Sequence, residues 1–235
     1  MANILCIETA TVACSVALTS NGNVLSKKET TEKNAHSAKL TLFIDEILKE
    51  NNIEYTDLDA IAISKGPGSY TGLRIGVSTA KGLCYALDLP LISINTLQSL
   101  AYGMSGVYPM GEIEGKGFVF CPMLDARRME VYAALYNSGL EEIRETKAEI
   151  IEAASYSEFL EQSQVVFFGD GAEKCKGTIV HPNAIFMDDV LPSSGNMAMP
   201  AYQKYKQKEF EDVAYFEPFY LKDFVAGIPK VKGLR

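Results

Sequence analysis

The sequence predicts a two-lobed α/β fold built on mixed β-sheets. The N-terminal part alternates short apolar strands with amphipathic helices in the order βββαβαβ, followed by a short helix. A passage rich in glycine and proline then interrupts the pattern over residues 103–117. Beyond it the βββαβα plan begins again, so we predict lobes of residues 1–105 and 106–235 with a cleft between them.

The first lobe opens with three strands that we expect to pair antiparallel. Two apolar runs are separated by a small polar turn, and Asn21-Gly22 is a hairpin signal before the third strand. Helices and strands then alternate, which predicts helices packed on a mixed sheet. The predicted elements are strands at 3–8, 12–19 and 24–31, a helix at 36–51, a strand at 60–64, a helix at 71–87 and a strand at 89–94.

The second lobe is predicted to repeat this plan and to end in a long helix. Its expected elements are strands at 118–124, 129–136 and 142–151, a short helix at 155–162, a strand at 165–168 that runs into Gly169-Asp170-Gly171, and a helix at 197–210. The C-terminal tail is basic, with Lys222, Lys230, Lys232 and Arg235 against Asp223. Such a tail is usually a solvated segment.

Composition limits the kind of protein this is. The chain of 235 residues has 47% hydrophobic residues, enough for a proper core. Its net charge of -8 argues against broad nucleic-acid binding by the chain alone. The five scattered cysteines resemble neither a disulfide frame nor paired metal ligands. With no leader pattern at the N-terminus and no long apolar run, we expect a cytoplasmic protein without a membrane span.

The segment from Lys65 to Gly76 (KGPGSYTGLRIG) is the strongest local signal. It ends a buried strand and opens a helix, and the first N–H groups of a helix can hold an anion or a neighbouring polar turn. An acid with a hydroxyl, Glu8-Thr9, also follows a predicted strand. We therefore take Glu8, Thr9, Gly68 and Ser69 as candidate nucleotide-binding residues, with weak binding at most, since ordinary tight connections also require glycine.

Several kinds of site are not supported by the sequence. The two histidines, His36 and His181, have no second histidine or cysteine at ligand spacing, so no metal site is predicted. No nucleophile elbow, phosphate-binding P-loop or dinucleotide fingerprint is present. We therefore assign no catalytic residue and no firm cofactor.

The helices at 36–51 and 71–87 carry more apolar and small residues than one packed face needs. Leu42 lies outside the main apolar stripe of the first, and the second has small residues at Gly72 and Gly76. Small faces allow another helix to approach closely, although internal packing explains them nearly as well. We take His36, Leu42, Gly72, Gly76 and Ala80 as candidate partner-interface residues.

Four motifs in the chain resemble motifs of a known family. The motifs are Ile7-Glu8-Thr9-Ala10, Ala35-His36-Ser37, the glycine segment 66–76 and Tyr220-Leu221-Lys222. Together they resemble the TsaB family, also called YeaZ, over nearly the whole length. The resemblance implies a two-lobed actin-like ATPase (ASKHA) fold and a role in making tRNA threonylcarbamoyladenosine.

The resemblance further implies a non-catalytic partner of TsaD. The histidine pair that holds the metal in TsaD corresponds here to Thr96 and Leu100, its acidic pair to Val12-Ala13, and a later aspartate to Ser193. Without these ligands a metal cannot be held usefully. We expect an accessory subunit that pairs with TsaD through its N-lobe helices, cooperates with TsaE, forms a homodimer when free and meets tRNA only in the complex.

Two rival functions stay open from the residues. Glu8-Thr9 and the glycine turns fit a stand-alone ATPase or kinase-like enzyme of the same fold. A peptidase is the other rival, but the sequence provides no nucleophile or metal constellation for it. ATP hydrolysis or peptide cleavage by the isolated chain would separate these from a scaffold.

Overall fold

The structure, a computed structural model, describes residues 1–32, 35–108 and 117–222. It has a first mixed sheet in the strand order β3-β2-β1-β4-β5, flanked by helices. In the first lobe the elements are β1 Asn3–Glu8, β2 Cys14–Ser20, β3 Asn23–Thr30, α1 Ala35–Glu50, β4 Ala60–Gly66, α2 Tyr70–Leu87, β5 Leu91–Asn95 and α3 Thr96–Ser105.

The second sheet repeats this topology in the order β10-β9-β6-β7-β8. In both sheets three antiparallel strands are followed by two parallel ones. The predicted two-lobed α/β fold with a repeated plan is confirmed. Strand β10 was not predicted from the sequence. The elements are β6 Phe118–Asp125, β7 Glu130–Asn137, β8 Glu142–Ile150, α4 Ser157–Leu160, β9 Gln164–Phe168, β10 Ala184–Met187 and α5 Ala198–Gln207.

Strand β1 lies at the centre of the first sheet and is buried on both faces. Leu5 and Ile7 contact one apolar cluster with residues of α1 and α2. Ile4 and Cys6 point the other way, into a cluster with Ile92. A strand covered on both sides reads as a continuous apolar run, which is why its sequence shows no alternation.

Helices α1 and α2 form because their apolar residues recur at helical spacing. Leu40, Ile44 and Ile47 are buried along one side of α1. Ser69 caps α2 by accepting a hydrogen bond from Gly72 N, and Asp88, directly after the helix, has the left-handed conformation common at helix C-termini.

Helix α3 connects the lobes. Asn95 caps it by accepting from Leu97 N at 2.8 Å, and the same side chain donates to Thr146 of the second lobe at 3.1 Å. Leu100 and Met104 pack with Phe120 and other residues of the second sheet. Helix α3 therefore contacts elements of both sheets.

The C-terminal part returns to the first lobe. Helix α5 lies in the predicted range 106–235, yet Ala201 packs beside Ile4 and Ile92 of the first sheet. Glu211 then forms a bridge with Leu91 on the edge strand β5. Periodicity predicts that a helix has an apolar face but not which sheet that face covers.

Two further features concern the chain as a whole. All five cysteines are free and buried. Within the ranges that the structure describes, no helix is both long and apolar enough to cross a membrane.

Candidate functional site

The turn after β1 contacts the N-terminus of α2. Ser69 N, at the start of that helix, donates to Ala10 O at 2.6 Å. The candidate residues Glu8, Thr9, Gly68 and Ser69 thus lie together, as the sequence suggests. The helix N-terminus, which could have held a phosphate, instead holds a carbonyl oxygen of the same chain.

The glycines of this segment allow that contact. A Cβ atom on Gly68 would lie 2.3 Å from Ala10 O, and one on Gly72 would lie 2.1 Å from Thr9 O. Gly66 has φ +106, a conformation that favours glycine. These residues are small because two backbone segments meet here.

Glu8 is fully buried at the end of β1. Its Oε1 accepts a hydrogen bond from Ala10 N at 2.6 Å. Burial raises the pKa of this carboxyl to about 7, against the opposing effects of Ala10 N, the Ser64 hydroxyl and Thr9 N. A carboxyl so enclosed cannot reach a ligand in an open cleft without a rearrangement.

A row of polar side chains surrounds Glu8. Ser15 lies directly opposite it on β2. On the other side the Ser64 and Thr96 hydroxyls are 2.7 Å apart. Ser15 Oγ accepts from Ser194 N at 2.8 Å, so the 3-10 helix Ser194–Met197 covers the row.

The second glycine turn has the same construction. Gly169 has φ +102, and Gly171 N donates to Met123 O at 3.1 Å. Asp170 Oδ1 accepts from Asp125 N at 3.0 Å, and burial raises the pKa of Asp170 above its usual range. Here too the glycine turn contacts the chain's own backbone.

Three of the positions that correspond to metal ligands of TsaD have contacts within this chain. Thr96 bonds to Ser64, and Leu100 lies in the core between the lobes. Ser193 bonds to Lys27 and Glu29 at the edge of the first sheet. Over the described ranges, no cluster of three or more His, Cys, Asp or Glu side chains is placed to hold a metal ion.

Three of the candidate interface residues lie inside the first lobe, which corrects their proposed role as contact residues. Gly72, Gly76 and Ala80 are on the buried side of α2. A Cβ on Gly76 would lie 2.2 Å from Thr9 Oγ1. The small residues make room for the turn after β1, and the sequence could not reveal that this turn lies against them.

The other two candidates differ from each other. His36 is half-buried, and its Nε2 lies 3.2 Å from Ala13 O, so the ring ties α1 to the turn after β1. Leu42 is 56% exposed on the outer side of α1. Whether either contacts a partner stays a prediction.

An outward-facing set of small and apolar residues on α1 and α2 was only partly found from the sequence. Tyr85 is 89% exposed, and Gly82 has no atom within 4 Å of an added Cβ. Helical spacing places Tyr85 and Gly82 away from the buried Ala80 and Cys84, a signal the sequence contained. We define the outer helix face as Ala38, Leu42, Gly82, Tyr85 and Ala86, all exposed.

Two cavities lie elsewhere on the surface. One of about 570 Å³ is lined by Lys27, Gly103, Asp189 and Asn196, among others, between β3, the end of α3 and the segment before α5. The other, about 590 Å³, lies along the C-terminal segment at Lys65 and Tyr215–Tyr220. Neither includes the candidate nucleotide residues.

Comparison with known proteins places the chain in a family. The family model described as "TsaD: tRNA N6-adenosine threonylcarbamoyltransferase" matches residues 23–230. The Escherichia coli protein named tRNA threonylcarbamoyladenosine biosynthesis protein TsaB is 32% identical over 95% of this chain and 96% of its own. The chain belongs to the TsaB family. The Bacillus subtilis TsaB protein is 31% identical over 93% of both chains.

Solved structures agree with the fold of a TsaB protein. A crystal structure from Pseudomonas aeruginosa, described as similar to peptidase YEAZ, superposes with a TM-score of 0.83 at 24% identity over 94% of this chain and 100% of that one. A second structure, YeaZ from the same organism, superposes with a TM-score of 0.80 at 24% identity, with the same coverage. The two-lobed fold with its two mixed sheets is shared with these structures over nearly the whole chain.

Proposed function

We propose that this TsaB-family chain is a non-catalytic scaffold subunit for the formation of tRNA N6-threonylcarbamoyladenosine. Its relatives from E. coli and B. subtilis are named for the biosynthesis of this nucleoside. Its task is to bind and activate a TsaD-type catalytic subunit. Association, not chemistry, is the function that this geometry supports best.

The occupied N-terminus of α2 is the observation that carries this proposal. Ser69 N donates to Ala10 O at 2.6 Å, and Gly68 and Gly72 are pressed against the backbone of the same turn. An ATPase or kinase of this shape needs free donors where phosphates bind. Opening this contact would break a buried hydrogen bond and separate packed backbone segments.

The outer helix face is the surface we assign to the partner. It carries an exposed aromatic side chain, Tyr85, near the small residues Gly82 and Ala86 on α2, and an exposed aliphatic side chain, Leu42, on α1. Exposed apolar residues next to small ones let a second helix pair approach closely. The same face would serve a homodimer of the free chain, so homodimer and TsaD complex exclude each other in this proposal.

The remaining partners follow from the same proposal. TsaE joins the complex of this chain with TsaD, and tRNA is held by the complex, because the chain alone carries a net charge of -8. We place this assembly in the cytoplasm. Of the basic tail, Lys222 forms an ion pair with Glu130, and residues 223–235 lie outside the described residues.

Titration calorimetry with a TsaD protein tests the interface. L42E and Y85E place a charge on the outer helix face, and we expect each to weaken binding at least tenfold, since an unpaired charge at the centre of an interface is costly. V180E is the matched control, because Val180 is 81% exposed in the second lobe. Unchanged affinity for L42E and Y85E, in variants with native circular dichroism, would place the interface elsewhere.

Assays of the purified chain test the enzymatic rivals. We expect no ATP hydrolysis and no peptide cleavage above a buffer control, and modification of tRNA only when TsaD and TsaE are added. Turnover of ATP by the isolated chain that disappears in E8Q would show that the candidate nucleotide residues form an active site and would overturn the scaffold proposal.

A further inference from the structure

Five buried side-chain oxygens have no hydrogen-bond partner among the described residues, and two of them are Thr9 Oγ1 and Ser20 Oγ. The other three are Glu8 Oε2, Ser99 Oγ and Ser194 Oγ, and each of these three residues is fully buried. Buried polar atoms are nearly always paired, so these atoms require an explanation.

Glu8 and Ser194 face the same place. Glu8 and Ser15 are directly opposed on β1 and β2, and both side chains point away from the α1 and α2 side, where their neighbours Ile7 and Val16 are packed. Ser15 Oγ accepts from Ser194 N at 2.8 Å. The 3-10 helix Ser194–Met197 therefore lies over the Glu8 carboxyl.

Ser99 approaches the same place from α3. Thr96, Ser99 and Gly103 share one face of this helix by their spacing. At one end of that face the Thr96 hydroxyl is 2.7 Å from Ser64 Oγ, whose hydroxyl lies beside Glu8. At the other end a Cβ on Gly103 would lie 2.3 Å from Asn196 Nδ2. Ser99, between them, faces the space between β4 and the 3-10 helix.

Strand β1 and helix α3, which carry two of these three oxygens, both pack against the 3-10 helix, which carries the third. We call Glu8, Ser64, Thr96, Ser99 and Ser194 the Glu8 cluster. A small guest bound where these elements meet would give the unpartnered oxygens a partner. The guest must also balance a buried carboxylate, because an isolated charge in a protein interior is strongly unfavourable.

We infer that the Glu8 cluster binds one monovalent metal cation. Its donors are all oxygens, which suit hard cations such as Na⁺ and K⁺. One carboxylate and several neutral hydroxyls balance a single positive charge. Divalent ions usually take more charged ligands or several waters.

Such an ion would join both lobes. It would connect β1 and β4 of the first sheet with α3, whose other side packs on the second sheet, and with the 3-10 helix ahead of α5. The inference goes beyond the scaffold function and does not depend on it.

Thermal unfolding in different salts tests this site. The midpoint is measured in equal concentrations of KCl, NaCl and choline chloride, the last being too large a cation to enter. At a metal concentration ten times the dissociation constant we expect an unfolding constant about 11-fold smaller than in choline. For a chain of this size that raises the midpoint by roughly 3 to 6 °C.

Variants test whether the difference in unfolding midpoint between the salts arises at the Glu8 cluster. E8Q removes the charge, and S99A removes one donor, so both should lose most of the difference between metal and choline salts. S78A, on the exposed side of α2, should keep the wild-type response. Equal midpoints of the wild type in all three salts, or a response that persists in E8Q, would overturn the inference and leave water as the occupant.

A crystal grown in RbCl gives an independent answer if E8Q does not fold. Rubidium replaces potassium and scatters anomalously, and we expect one strong anomalous peak within bonding distance of Glu8 Oε2 and Ser99 Oγ. Absence of this peak in the wild-type crystal contradicts the proposed site.

Discussion

The two lobes share one topology but differ in the helices that cover their sheets. In the first lobe α1 has 16 residues and α2 has 18. At the corresponding places the second lobe has α4, of four residues, and the 3-10 helix Glu173–Cys175, of three. The first lobe therefore has long helix faces, whereas the second covers its sheet with single side chains such as Tyr156 and Leu160. In the proposed function, association uses the lobe with the long helices.

The glycine turns of the two lobes are alike. Gly66 is the last residue of β4 and Gly169 directly follows β9, each the fourth strand of its sheet along the chain, and their φ values are +106 and +102. In each lobe the residues that follow press against the turn after the first strand or against that strand's last residues. Because the glycine turn contacts the chain's own backbone in both lobes, we infer that this contact stabilises the fold.

The largest effect expected is from filling these contacts. G72A and G169A each place a methyl group 2.1 to 2.2 Å from a backbone oxygen, and Gly169 is also in a conformation that alanine rarely adopts. We expect each to lower the free energy of unfolding by about 3 kcal/mol or more. Urea titration measures it. If G72A lowered the free energy of unfolding and G169A did not, the glycine turns of the two lobes would not be equivalent.

A pH dependence should distinguish the central acid of the first lobe. Since burial raises the pKa of Glu8 from 4.5 to about 7, its contribution to stability is full below the unfolded value and is lost as pH rises through about 7. The unfolding free energy should therefore fall by up to about 3 kcal/mol between pH 4.5 and pH 7.5.

Urea titrations across this range in a buffer without alkali metal salts measure the effect. The unfolding free energy of E8Q should fall less steeply than that of the wild type and keep only the part that Asp170 contributes, whereas E217Q, at an exposed carboxylate, should keep the wild-type slope. A wild-type profile that rises over this range would show that Glu8 is ionised in the folded chain.

The second lobe should depend on a largely buried charged cluster. Arg144 and Glu149 are paired with only 17% and 18% of their side chains exposed, the Arg144 guanidinium lies 4.5 Å from the centre of the Tyr156 ring, and Tyr156 donates to Glu149. E149Q leaves Arg144 without its counter-charge and should cost roughly 1 to 3 kcal/mol.

The exposed pair of Lys49 and Asp45 on α1 provides the matched comparison. D45N should lower the free energy of unfolding much less than E149Q does, because solvent screens a surface pair. Chemical denaturation of both variants measures the difference. Equal costs would mean that the second-lobe cluster is open to water.

The smallest expected effect is an increase in the free energy of unfolding. Gly82 lies within α2 with open space around it, so G82A should stabilise the free chain by about 0.5 to 1 kcal/mol. If α2 is the partner helix, the added methyl group should at the same time weaken TsaD binding. Stabilisation with unchanged binding would remove Gly82 from the outer helix face.

The order of elements was predictable because each has its own local pattern. The apolar run of β1 and the 3.6-residue period of α1 are properties of neighbouring residues, so the lobes and their repeat could be inferred. Strand β10 was missed because Ala184–Met187 is only four residues long and none of them is fully buried.

The roles of particular residues were harder to infer. The structure places the turn after β1 against Gly68 and Ser69, and nucleotide binding by Glu8, Thr9, Gly68 and Ser69 stays a prediction. The sequence could not tell that Ser69 N is already bonded to Ala10 O. The small residues Gly72 and Gly76 looked like a partner surface because a helical wheel does not show which loop lies against each side.

The sequence by itself determined the family motifs, the alternation of strands and helices, and the absence of familiar nucleotide and nucleophile motifs, because these depend on residues close together in the chain. Only the tertiary structure decided that the glycine loop is closed by the chain's own turn, that α5 returns to the first sheet, and that Glu8 is enclosed beneath Ser194. These are contacts between residues up to about 190 positions apart, and local patterns contain no information about which distant segments will meet.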